Sequence, residues 1–241
     1  MLIVRDEGLV RRRKKIGQFA SLLGLAILVS GMVVTWVAPR WGFSGTLVLY
    51  LPFLALLVGF ILSNIGIYYT NRWGRSPRPD QVLDASLKGL GKEFKLYHYA
   101  LRVPHVLLTP VGAMALVIKT EGGVYTVDGD RWRQRFSFGR LLRFMGQEGM
   151  GNPTREAQYQ VDALRRFVNK RAPDLAEVPI SAAVVFINDR VSLNVGETSV
   201  PVLRATKLKG HVRSWTEKPL SRKVLDQLQA LFDEGSAPAG R

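Results

Sequence analysis

Hydrophobic and polar positions divide the chain into two unlike parts. From Ile16 to Ala38 no charged residue occurs, and Leu, Ile and Val dominate. From Trp41 to Asn71 the chain is again free of charge, most strongly apolar over Leu47 to Leu62. Each run reaches the roughly 20 residues that a helix needs to cross a hydrocarbon layer of about 30 Å. Neither shows the charged face of a soluble amphipathic helix. The pattern predicts two spanning helices, about 16–38 and 45–69, joined by the tight Pro39-Arg40-Trp41-Gly42 connection. Pro52 and Gly59 within the second run are tolerated in membrane helices. A cleaved signal peptide fits poorly, because Pro39 follows the only small residue near a cleavage point and a second apolar run comes at once. Trp36 and Trp41 near one end, with Tyr68, Tyr69 and Trp73 near the other, fit interfacial aromatic belts.

Beyond the linker at 72–79 (Arg75-Ser76-Pro77-Arg78-Pro79) the periodicity changes. Asp80 opens a helix with Val82, Leu83, Leu87 and Leu90 at amphipathic spacing and Gly91 as its stop. Lys95 to Leu101 reads as a strand with alternating faces. Val106–Leu108 and Ala113–Ile118 are two apolar strands joined by a Pro/Gly turn, with Lys119 at the end of the second. A third strand follows at Val124–Val127. So continuous an apolar run marks strands buried on both faces, at the centre of a mixed sheet. Asp128-Gly129-Asp130 makes a tight turn before a strand at Trp132–Phe138. Phe138 to Gly151 is a basic, aromatic-containing insert with no assigned structure. Asn152-Pro153 opens a long helix through Ala157, Val161, Leu164, Phe167 and Val168. Strands follow at Pro179–Ile187 and Val200–Leu203, then an amphipathic helix at Leu220–Phe232 and a disordered tail, Gly235–Arg241. The expected organisation is a basic head (1–15), a two-helix transmembrane hairpin (16–71), the linker, an α/β domain (80–215), and a C-terminal helix with its tail (216–241).

The charge sharpens this picture. The chain of 241 residues carries a formal +15, which favours acidic partners, either anionic lipid or nucleic acid. Through Arg78 there are ten Lys/Arg against two acids (+8), and the remainder holds 24 against 17 (+7). Arg11, Arg12, Arg13, Lys14 and Lys15 precede the first span, and Arg72, Arg75 and Arg78 follow the second, while the connection offers only Arg40. The positive-inside rule then places both ends, and the domain, on the cytoplasmic side of a prokaryotic cytoplasmic membrane. The same clusters attract anionic headgroups, by on the order of 1 kcal/mol per basic residue. With no Cys, disulfides, thiolate metal sites and Cys nucleophiles are excluded.

The run Pro104–Trp132 resembles the core of the nuclease-related (NERD) domain, a relative of the PD-(D/E)xK restriction endonucleases. In that family an Asp-His pair opens the first strand and a Gly starts the second, which ends in Glu-x-Lys; a Gly and a Trp follow. His105, Gly112, Lys119, Gly123 and Trp132 fall in place, as does the Pro110 turn. Pro104 stands at the Asp and Val117 at the Glu. The family's earlier helix carries a Glu, matched here by Asp80, and its later helix opens on Asn-Pro and a Gln-Ala pair, matched by Asn152-Pro153 and Glu156-Ala157. The resemblance implies a restriction-endonuclease-like α/β fold, a central mixed sheet flanked by helices, with the metal site lost.

In such sites carboxylates hold Mg²⁺, which activates water, and the Lys stabilises charge. Neither Pro104 nor Val117 offers a ligand, so the expectation is a non-catalytic binding or regulatory module without a metal or cofactor. One alternative is a Mg-dependent nuclease with a rearranged site using Asp80, Glu121 and Lys119, since strand alternation would put Glu121 on the face of Lys119. Another is a nucleic-acid-binding module, with Lys119, Arg131 and Arg133 as candidate phosphate-binding cations. The expected partners are a bilayer with anionic headgroups, DNA or RNA, or another membrane protein. His105 reads as a strand-edge residue, and His98 and His211 as isolated.

Overall fold

A computed structural model describes residues 1–42, 45–74, 76–134 and 150–236. Arg75, the segment 135–149 with most of the predicted insert, the tail from residue 237 and the Trp41 side chain lie outside the described residues. The described residues form two compact units, residues 7–78 and residues 1–6, 79–134 and 150–236.

The first unit contains α1 (Glu7–Val37), a short 3-10 turn at Ala38–Trp41, α2 (Thr46–Tyr69) and a π-helical turn at Thr70–Gly74. Both α-helices are long and apolar enough to cross a membrane. Only 17% and 11% of their apolar windows are buried, whereas the core helix of a soluble fold is mostly buried. At 1.5 Å per residue the 31 residues of α1 span roughly 46 Å. The predicted head is therefore not a separate segment: Arg11 to Lys15 occupy early turns of α1. The helices meet through small residues. A Cβ on Gly24 would lie 2.7 Å from the Ser63 backbone nitrogen, and one on Gly66 would lie 2.6 Å from that of Ser21. Arg13 donates to the Tyr69 hydroxyl at 2.7 Å, and the Arg40 guanidinium sits 4.4 Å from the Trp36 ring centre. Trp73, read as part of an interfacial aromatic belt, lies in the π-helical turn and is buried.

The second unit is α/β. A six-stranded mixed sheet has β1 (Leu2–Arg5), β2 (Lys95–His98), β3 (His105–Thr109), β4 (Gly112–Lys119), β7 (Ile180–Phe186) and β9 (Val202–Arg204) side by side in that order. Three further strands, β6 (Arg131–Gln134), β5 (Gly123–Asp128) and β8 (Val191–Val195), form a small second sheet. The helices are α3 (Pro79–Ser86), α4 (Pro153–Arg171), α5 (Ala205–Arg213) and α6 (Arg222–Ser236). Strand alternation sends Leu96, Leu107, Met114 and Leu116 to one face, against Leu83 and Leu87 of the α3 segment and Leu208 of α5. It sends Tyr97, Val106, Leu108, Ala115 and Val117 to the other, against Leu164 and Val168 of α4 and Phe232 of α6.

Several expectations change. β1 lies in the predicted head yet pairs in parallel with β2. The third strand of the sequence reading, β5, is not in the large sheet but pairs with β6 and β8 in the small one. β2 is buried on both faces, because each face is covered by helices, and it ends at His98, before Tyr99, whose φ is +57. α3 stops at Ser86, and the left-handed residue after it is Gly89, φ +84, not Gly91. β8 and α5 have no counterpart in the sequence reading. The central hairpin, β7 and the opening of α4 lie where they were expected. The Asn152 side chain accepts from the Arg155 amide and caps α4.

Candidate functional site

Lys119 ends β4, where its Cα is in register with Phe186 of the parallel β7. The connection between these strands passes through α4, so the first turn of α4 returns to the carboxyl end of the sheet, where open α/β folds bind ligands. Thr154 in that turn accepts from the Trp132 indole at 2.9 Å. Trp132 and Tyr125 face Phe186, with ring centres 6.0 and 5.4 Å apart, which fastens the small sheet to the large one. This scaffold holds Lys119 at 9% exposure. Its Nζ donates to Glu156 Oε2 at 2.7 Å and to the Met150 carbonyl at 3.2 Å.

An acid beside Lys119 is thus Glu156, from α4. β4 ends at Lys119, and Glu121 lies half-buried in the connection to β5. Lys119 is not the exposed strand-end lysine that its sequence position suggests. Val117 is buried in the apolar core at 1% exposure. Pro104 is half-buried, and its carbonyl accepts from the Tyr99 amide at 2.7 Å. Arg131 and Arg133 are exposed on the small sheet, in register with Asp128 and Thr126 of β5.

Asp80 is on the opposite side of the sheet. It is 1% exposed and pairs with the Arg5 Nε at 2.8 Å. Arg5 also pairs with Asp84, Asp84 Oδ1 lies 2.9 Å from His98 Nε2, and His98 Nδ1 lies 2.8 Å from His105 Nδ1. Tyr99 stacks edge-on against His105, with ring centres 4.7 Å apart. His98 and His105 are 0% and 4% exposed. Burial alone would raise the Asp84 carboxyl, but the hydrogen bond and charge of His98 and the Arg5 guanidinium together hold it below its ordinary value.

The sheet therefore separates Asp80 from Lys119, and they share no site. Among the described residues, no three His, Asp or Glu side chains converge as a metal-holding group. Arg5, Asp84 and His98 escaped the sequence reading. The available signal was the placement of His98 and His105 on either side of a short strand-to-strand turn, which pairs them across an antiparallel hairpin. Comparison with protein-family models, curated proteins and solved structures finds no match to this chain.

Proposed function

We propose that the protein is a membrane-tethered α/β module of the restriction-endonuclease-like type, whose nuclease centre has been dismantled and which acts by binding or regulation. The observation that carries this reading is the Lys119–Glu156 pair. The lysine that would stabilise a phosphate transition state is turned onto a neighbouring carboxylate, Val117 fills the ligand position with an apolar side chain, and Asp80 is engaged across the sheet. The element order supports the resemblance, with a helix near Asp80, a central hairpin ending at Lys119 and a helix opening on Asn152-Pro153.

The tether rests on the two apolar helices and on β1. Leu2–Arg5 precede α1, yet they complete the sheet formed by residues that follow α2. A hairpin that crosses a bilayer must therefore leave and return on one side. The exposed Arg11 to Lys15 favour the cytoplasm and anionic headgroups for that side.

Titration of Mn²⁺ or Mg²⁺ into the full chain in micelles, followed by a DNA and RNA cleavage assay, tests the reading. The expected result is no saturable binding at millimolar metal and no cleavage. Cleavage abolished by Glu121→Ala or Lys119→Ala would overturn it in favour of a rearranged nuclease. Exposed Arg131 and Arg133 favour nucleic-acid binding as the second reading. It requires retention of DNA or RNA at low salt, weakened steeply by added salt and by Arg131→Glu with Arg133→Glu.

A further inference from the structure

Two imidazoles whose Nδ1 atoms lie 2.8 Å apart hold one proton between those atoms and not two, because a second N–H would face the first across a hydrogen-bond distance. Neither ring has room to step aside. His98 is fixed by Asp84 at its Nε2, His105 is flanked by Tyr99, and both rings are buried.

We propose that His98 and His105 form an acid-labile latch, in which one shared proton closes the pair and uptake of a second parts the rings and loosens β1 from the sheet. Among the described residues, the charged and titratable groups gathered at the pair include Asp80 and Asp84 from α3, Arg5 from β1 and Tyr99 from the turn after β2. Asp6 joins through its amide, which donates to the His98 carbonyl at 3.1 Å. Arg102 in the same turn is exposed. With His98 donating from Nε2 to Asp84, one proton between the Nδ1 atoms satisfies both rings. A second proton at that contact sets two N–H groups against each other inside a buried pair.

The position of the latch gives it reach. Arg5 lies two residues before α1 begins, and Asp80 is the second residue of α3, the first helix after the apolar hairpin and its π-helical turn. Parting the pair pulls Asp84 away from Arg5, and Arg5 is the charged anchor of β1. The hydrogen-bond geometry behind the latch does not depend on the nuclease resemblance.

The test is ¹⁵N NMR of the histidine rings combined with amide hydrogen exchange, on the full chain in detergent micelles between pH 8 and pH 4.5. Above the titration the rings should report one shared proton. As the second proton binds, protection at residues 2–6 and 99–105, corrected for intrinsic exchange, should fall about tenfold per pH unit. His105→Gln, which can still donate to His98 but does not titrate, should hold that protection to within about twofold. Uptake of the second proton with β1 protection unchanged overturns the latch, and so does an equal loss of protection in His105→Gln. Should that variant fail to fold, the wild type decides alone: loss of protection displaced by more than about one pH unit from the ring titration overturns the proposal.

Discussion

The two faces of the six-stranded sheet carry polar clusters built in opposite ways. On the α4 face, Lys119 meets the Glu156 carboxylate, and the Glu156 side chain is 46% exposed, so water reaches the pair. On the α3 face, Arg5, Asp80, Asp84, His98 and His105 form a chain in which Asp80 and His98 are almost wholly shielded. Coulomb attraction is screened in the first case and strong in the second, but the second also carries the cost of removing charges from water. Truncating Lys119, whose carboxylate partner is half in water, is thus expected to cost little, and truncating Arg5, whose partner Asp80 is buried, to cost much more. Position in a motif does not rank residues by energy; burial of their partners does.

Truncation is the most direct way to break this comparison. Arg5→Ala leaves the Asp80 carboxylate buried without its guanidinium and should cost about 3–5 kcal/mol. Urea unfolding of the full chain in mild detergent, followed by tryptophan fluorescence, measures it; a loss near that of a surface pair would mean that the α3 face is more solvated than its burial implies. Tyr97→Phe comes next. The Tyr97 hydroxyl donates to Asp233 Oδ1 at 2.8 Å, and Lys95 reaches the same carboxylate, pinning α6. Loss of that bond should cost about 1 kcal/mol, read as faster amide exchange in α6. Burial, with Asp233 alongside, raises the Tyr97 phenol above its ordinary value, so its contribution is complete below pH 10 and declines as pH rises further; Tyr97→Phe should flatten that alkaline limb.

Smaller still is Glu156→Gln, which should change stability by no more than about 1 kcal/mol, since the remaining Lys119 keeps the Met150 carbonyl and nearby water. The same urea series detects it, and a cost equal to that of Arg5→Ala would erase the distinction between the faces. Acid titration separates the members of the α3 cluster. Asp84 is lowered from 3.8, so its stabilisation is complete above that value and is lost only as pH falls through the lower folded value. Asp84→Asn should therefore reduce the loss of stability below pH 4, measured by unfolding at fixed urea.

Legibility followed the range of the interactions. The two apolar helices, the central hairpin, β7 and α4 announce themselves through runs and periods contained within a few turns or strands. β1 does not, because four residues beside a basic cluster read as a head; they become a strand only when β2, more than ninety residues later, supplies hydrogen-bond partners. The short α5, with Gly210 inside it, and β8, with Ser192 and Asn194, were lost for the same reason: weak local preference and a partner far along the chain. At the candidate site, the place of Lys119 was legible and its environment was not, since Glu156 lies 37 residues away. His98 looked isolated because its partners stand fourteen residues before it and seven after it, across a helix and a turn.

What the sequence determined alone was composition on the scale of an element: which stretches must avoid water, which alternate, where helices begin, and that Pro104 and Val117 cannot ligate a metal. These depend on side-chain chemistry and local period. Only the tertiary structure decided which charges meet. The sheet passes between Asp80 and Lys119 and gives each a different partner, because a strand's two faces open into separate compartments whose occupants come from distant segments.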